Sequence, residues 1–138
     1  MELGYPCYLV SACLLGLRTR YDGQSKSNEA CRAQLTGGVC IPVCPEQLGG
    51  LPTPRTAAAL LGGDGHAVLA GRARVVNKSG EDVSASFLAG AEQVLAIARL
   101  QPIAAVFLKS GSPSCGVNGI LGVTAALLRR EGFTLHEF

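Results

Sequence analysis

Apolar residues in this chain come in short continuous runs, and between the runs the sequence turns abruptly to glycine, proline and polar side chains. Cys7 to Ala12 and Ile103 to Leu108 are near-continuous apolar runs of strand length. That pattern predicts a parallel sheet covered on both faces. Val39 to Val43 reads as another strand, with Pro42 placing it at an edge or in an irregular position. Thr134 to Phe138 is a candidate final strand. Three stretches read as helices. Ser25 to Leu35 is stopped by Gly37-Gly38. Val83 to about Leu100 follows Asp82 as N-cap and carries Phe87, Ala91, Val94, Leu95 and Ala98 on one face. Val123 to Arg130 ends at Gly132. Between these, Leu14 to Gly23 is a loop, and Cys44 to Arg55 is a rigid loop holding Pro45, Pro52, Pro54 and Gly49-Gly50. Thr56 to Leu61 reads as one or two helical turns, Gly62 to Gly65 as a turn, and Ala67 to Asn77 as a small β excursion. Strand, loop and helix recur three or four times. The expected fold is α/β: one domain over residues 1–138, a mostly parallel sheet flanked by helices, and a ligand site at the carboxyl ends of the strands.

Composition agrees with a packed core, since 48% of the 138 residues are hydrophobic and 16% charged. A net charge of +2 is too small to drive nucleic-acid or membrane binding by electrostatics alone. No apolar run reaches the 18 or so residues of a membrane span. The start, Met1 to Tyr5, lacks a basic segment followed by an apolar one, so no secretory leader is expected and the protein is read as cytoplasmic. In that reducing compartment six cysteines are not expected to pair. Metal binding or catalysis then accounts for some of them.

Three cysteines stand where a strand runs into a tight turn: Cys13 in Ser11-Ala12-Cys13-Leu14-Leu15-Gly16, Cys44 in Cys44-Pro45-Glu46, and Cys115 in Ser112-Pro113-Ser114-Cys115-Gly116. If the strands are parallel neighbours, the three sulfurs meet at one sheet edge. Three cysteines are one short of the usual four of an iron–sulfur cluster, which leaves one iron without a protein ligand. No C-x-x-C pair of a zinc ribbon is present. Cys40 and Cys44 would lie about 13 Å apart on an extended strand. Three readings of the trio stay open: a shared metal or cluster site, buried structural thiols, or a redox or nucleophilic cysteine. A nucleophile needs a basic partner, and the two histidines, His66 and His136, lie outside the three turns and read as surface or structural residues. Cys7, Cys31 and Cys40 fit buried hydrophobic positions. Near the trio, Glu46 is a candidate general acid or base, and Ser112 and Ser114 could bind a substrate oxygen or ring nitrogen. Asp22 faces either the pocket or its own turn. Gly49-Gly50 and Gly116 would allow backbone to approach a ligand. Gly62 to Gly65 lacks the spacing of a dinucleotide-binding loop.

These motifs resemble the DUF523 family, whose characterised branch contains thiouracil desulfidase. The carrying segments are Val10 to Gly16, Arg20-Tyr21-Asp22-Gly23, Cys44-Pro45-Glu46 with Gly49 to Arg55, Gly80 to Val83 with Phe87, Ser112 to Gly116, and Gly122 to Leu128. They span nearly the whole chain in order. The resemblance implies a [4Fe-4S] cluster with three cysteine ligands, Cys13, Cys44 and Cys115. It implies a non-redox desulfidase that replaces C=S by C=O in a thiolated pyrimidine base or nucleoside and releases sulfide. Glu46 and Ser112 would be the catalytic pair, with Ser114 and Asp22 on the substrate, and iron–sulfur assembly machinery would load the protein. The Val117 to Leu121 segment is shorter than the family pattern, implying a more open pocket or an altered substrate. The alternative is a carrier or sensor module that uses the same cysteines without catalysis.

Overall fold

The computed structural model describes residues 4–138. Met1, Glu2 and Leu3, on which the reading of the chain start partly rests, lie outside the described residues. In chain order the elements are β1 (Cys7–Ser11), a 3-10 turn (Ala12–Leu15), α1 (Glu29–Gln34), β2 (Val39–Val43), α2 (Pro45–Leu48), β3 (Ala58–Leu61), α3 (Gly65–Leu69), β4 (Arg74–Asn77), α4 (Ser84–Ala98), β5 (Ala105–Leu108), α5 (Val123–Arg130) and β6 (Leu135–Glu137). Four strands form one fully parallel sheet in the order β2-β1-β5-β6. Tyr8, Leu9 and Val10 pair with Ala105, Val106 and Phe107 at its centre. β3 and β4 form a separate antiparallel ribbon. Among the described residues no helix is long and apolar enough to cross a membrane.

Side chains alternate across the central strands. Leu9, Val106 and Leu108 enter a large core with α3, α4, α5 and the ribbon, while Val10, Ala105 and Phe107 enter a smaller one with Leu14, Cys31 and Leu35. Both faces are therefore covered, which is why these strands read as unbroken apolar runs. Parallel neighbours need long crossovers, and their common direction brings every strand's carboxyl end to one edge. From β1 the chain moves out to β2 and then returns past β1 to β5. The order reverses between β1 and β5, the position where open α/β sheets bind ligands. Pro42 sits in β2, an edge strand, as its missing N–H requires.

Several boundaries differ from the sequence expectations. The first helix begins at Glu29, not Ser25, because Asn28 caps it through Oδ1 on the Cys31 amide (2.9 Å). The amides of Lys26 and Asn28 instead serve the carbonyls of Cys13 and Leu14. Residues 58–61, expected as helical turns, form β3. Ala58 and Leu60 face the core while Ala59 and Leu61 face solvent, so packing with period two overrides the helical preference of Ala and Leu. The start of the expected β excursion is instead α3, capped by Asp64 Oδ1 on the Ala67 amide (3.1 Å). The Cys44–Arg55 loop contains α2, with Cys44 as N-cap and Pro45 in the first turn. Asp82 acts one position earlier than expected, accepting the Ser84 amide (2.9 Å), while Ser84 Oγ accepts from Val75 (2.8 Å).

α2 lies directly on α4 through two glycines. A Cβ on Gly49 would stand 2.0 Å from the Ser86 carbonyl oxygen, and one on Gly90 would stand 1.9 Å from that of Pro45. The obstacle is backbone on both sides, so the helices must separate to admit a methyl group. Gly90→Ala should therefore cost about 3 kcal/mol in urea unfolding, at the upper end for overpacking. A variant with the wild-type midpoint would refute this close packing.

Candidate functional site

The site is built at the β1/β5 edge. Ser11, the last residue of β1, accepts the Lys109 amide on its Oγ (3.0 Å), tying the ends of the two strands together where their connections diverge. Cys13 follows in the 3-10 turn. That turn closes at Gly16, whose φ of +93° is the left-handed conformation in which glycine is favoured. Cys44 follows β2 and starts α2, which puts Glu46 in the helix's first turn. Cys115 ends a loop whose carbonyls cap α5: Val123 donates to Pro113 O, and Thr124 and Ala125 donate to Ser114 O, at 2.9–3.1 Å. Each candidate thiol is thus held by backbone bonding of its own segment.

Cys13, Cys44 and Cys115 line one cavity of about 380 Å³, together with Glu46, Ser112 and Ser114. Cys13 and Cys115 are buried and Cys44 is half-buried. Burial pushes the Cys13 thiol up, Cys44 nearby adds to the shift, and Lys109 and Arg20 oppose it. The Cys115 thiol is pushed up to about 12, chiefly by burial. Hydrogen bonding to Ser11 and Ser114 works against this, and the neighbouring Glu46 and Cys44 charges work with it. Cys44 therefore stands near enough to act on both other thiols. Among the described residues no three of His, Cys, Asp and Glu converge as the ligands of a single metal ion. Thiolates on one ion at about 2.3 Å would need sulfurs only about 4 Å apart. Three thiols on the wall of one cavity, with Arg20, Lys78 and Lys109 beside them, are a donor set that fits an anionic, thiolate-bound cluster.

A line of hydrogen bonds runs beside the thiols. Glu46 Oε2 accepts from Ser114 Oγ (2.9 Å), and Ser114 Oγ lies 2.9 Å from Ser112 Oγ. With the Ser114 proton directed to the carboxylate, Ser112 is the donor of the second bond. Ser112 Oγ in turn accepts the amides of Ser114 (3.2 Å) and Cys115 (3.1 Å). Glu46 Oε1 receives Arg55 Nε at 2.9 Å, an ion pair whose side chains are only 14% and 6% exposed.

Other sequence candidates sit elsewhere. Asp22 is exposed, accepts the Gln24 amide (3.1 Å) and pairs with Arg20 (3.5 Å). It lies outside the cavity wall, whereas Arg20 belongs to it. Gly49 contacts α4, and Gly116 lies against the carbonyls of Ser112 and Ile120, so both serve chain packing. The 117–121 segment also lies outside the cavity wall. Glu137 Oε2 holds it by accepting the amides of Val117 (2.7 Å) and Asn118 (2.9 Å). His66 and His136 are exposed, and Cys7, Cys31 and Cys40 lie away from the cavity. Arg55, Lys109, Thr19 and Lys78 also line the site, and the sequence motifs assign none of them a role there. Lys109 carried a readable signal, being the first polar residue after the clearest apolar strand. Arg55 stood in a quoted motif but eleven residues from Cys44, and local spacing could not bring it back.

A family model described as 2-thiouracil desulfurase matches residues 8–137. The YbbK protein of Bacillus subtilis (strain 168) is 42% identical over 137 residues, covering 91% of each chain. The solved structure of the [4Fe-4S]-dependent thiouracil desulfidase TudS (DUF523Vcz) superposes with a TM-score of 0.78 at 40% identity, covering 96% of this chain and 90% of that one.

The buried thiols predict a pH response of the cluster-free protein. In the unfolded chain a thiol ionises near its ordinary 9.0, whereas folded Cys31 and Cys115 keep their protons to about 11 and about 12. Between those values the folded state binds more protons, so stability must fall as pH rises above 9. Urea midpoints measured from pH 8 to 11 should decline, and Cys31→Ala should make the decline shallower. An unchanged slope in that variant would contradict the shift.

Proposed function

The chain belongs to the 2-thiouracil desulfurase family, and from that premise we propose that it removes sulfur from thiouracil using a [4Fe-4S] cluster held by Cys13, Cys44 and Cys115. One observation carries the assignment of residues. The three thiols and the Glu46–Ser114–Ser112 hydrogen-bond line open onto the same cavity. A carrier or sensor would need the thiols but not a half-buried carboxylate wired to two hydroxyls.

Held by Cys13, Cys44 and Cys115, the cluster would supply Lewis-acid chemistry through an iron without a protein ligand. Replacing C=S by C=O consumes one water and releases one molecule of hydrogen sulfide. The oxygen comes from water, the two protons leave with sulfide, and no electrons are transferred, so no redox partner is needed. Glu46 is the proton acceptor for that water, and it is aimed from both sides, by Arg55 at Oε1 and by Ser114 at Oε2. Ser112 is fixed by two backbone amides and orients the base by turning its hydroxyl proton from Ser114 Oγ to a ring nitrogen or oxygen. A proton taken up at Ser112 reaches Glu46 through a single hydroxyl, that of Ser114. We assign Ser114 to this connection, since at 2% exposure it is buried behind Ser112. Asp22 acts at one remove, by steadying Arg20 at the cavity wall. Free thiols suit a reducing compartment, for which we infer the cytoplasm, with loading by iron–sulfur assembly machinery.

Protein reconstituted without oxygen should carry about four irons and four sulfides per chain and should release sulfide from 2-thiouracil. Cys115→Ala should lose the cluster. Glu46→Gln should retain it and lose about 10²- to 10⁴-fold in kcat. A fully active Glu46→Gln enzyme would remove Glu46 from the reaction, and an iron-free wild type would remove the cluster.

A further inference from the structure

We propose that Arg55 is the positioning residue of this site, holding the Cys44 ligand and the Glu46 carboxylate as one rigid unit; the inference rests on the desulfidase reading above. A guanidinium has five N–H groups in a fixed planar fork, and all five are directed at protein acceptors. Nε donates to Glu46 Oε1 (2.9 Å). Nη1 donates to Pro52 O (3.2 Å) and Thr53 Oγ1 (2.9 Å). Nη2 donates to Thr19 O (2.9 Å) and to Cys44 Sγ (3.8 Å). The backbone joins in, since the Arg55 amide donates to Tyr21 O (2.8 Å).

No N–H of this side chain is left for a substrate, and only 6% of it is exposed. Arg55 therefore does not act as an anion-binding residue of the cavity. Its contacts join three segments distant in sequence: the loop after Cys13, the start of α2, and the Pro52–Arg55 turn. Thr53 Oγ1 is itself fixed by Gln47 Nε2 (2.8 Å), so the fork is anchored on the side opposite the cavity.

Two consequences differ from those of a structural ion pair. The single orientation that aims Glu46 also sends an N–H at Cys44 Sγ, so the proton acceptor and the cluster ligand are aligned together. An N–H and a positive charge at a ligating thiolate also stabilise the reduced cluster and raise its reduction potential. Lysine keeps the charge but has three donors and no fork, so it cannot reach both groups in this geometry.

The test uses the reconstituted full-length protein and compares wild type with Arg55→Lys and Thr53→Val. Circular dichroism and iron content establish folding and loading. Arg55→Lys should lower kcat for 2-thiouracil about 10- to 100-fold, change KM far less, and shift the cluster's midpoint potential downward. Thr53→Val leaves Arg55 in place and frees one arm of the fork. It should move kcat and potential in the same directions by less, and it decides the question if Arg55→Lys does not fold. A folded, loaded Arg55→Lys protein with the wild-type kcat or the wild-type potential overturns the proposal, as does a Thr53→Val protein unchanged in both when it is the deciding variant. If the wild type loads its cluster but releases no sulfide from 2-thiouracil, the desulfidase reading fails. The potential shift then still decides whether Arg55 acts on the Cys44 ligand.

Discussion

The central strands β1 and β5 have no solvent face. Leu9, Val106 and Leu108 are buried on one side and Val10, Ala105 and Phe107 on the other. Strands enclosed in this way are joined by crossovers that cover the sheet, and the crossovers keep the strands parallel. The geometry of the site descends from that constraint. A shared direction delivers Ser11, Val43 and Leu108 to one edge, and the chain leaves that edge through three separate turns, each carrying one thiol. An antiparallel arrangement of the same strands would have sent at least one cysteine to the opposite end of the molecule.

Placing polar groups at this edge is costly unless each is satisfied. The chain meets that cost with a closed set of bonds. Arg55 uses its entire fork, Glu46 is engaged on both oxygens, and Ser112 accepts two amides. Among the described residues the buried side-chain atom without a partner is Thr124 Oγ1, in the first turn of α5 beneath the Ser112–Cys115 loop. The thiols are the exception by design of the site. Burial, helped by neighbouring charge, raises the Cys13 and Cys115 thiols above their ordinary value.

Close backbone packing connects the core to this chemistry. Gly49 and Gly90 let α2 press onto α4 at a separation that admits no Cβ. α2 is a single turn long and would not persist alone. Its position, and with it the direction of Glu46, is inherited from the much longer α4. A similar approach of Gly122 to the Ser114–Cys115 peptide fixes the third cysteine turn against the start of α5.

Much of this was legible in the sequence, for identifiable reasons. The Ile103–Leu108 run announced a buried strand because both its faces are covered. Pro42 announced an edge because it cannot donate a ladder hydrogen bond. The three cysteine turns announced a shared site because strand-end turns in a parallel sheet converge. Where local preference and tertiary packing disagreed, the sequence misled. Residues 58–61 look helical but become a strand through alternate burial of Ala58 and Leu60. Asp22, read as facing either the pocket or its own turn, binds its own turn, because an Asp next to glycine satisfies nearby amides first. The order of residues was enough to predict a parallel sheet covered on both faces and to single out the thiols, carboxylate and hydroxyls that the fold brings to one cavity. Their wiring was settled in three dimensions. That Ser114 lies between Glu46 and Ser112, and that Arg55 grips Glu46 and Cys44 at once, depends on angles between segments up to 68 residues apart, and no local pattern encodes such angles.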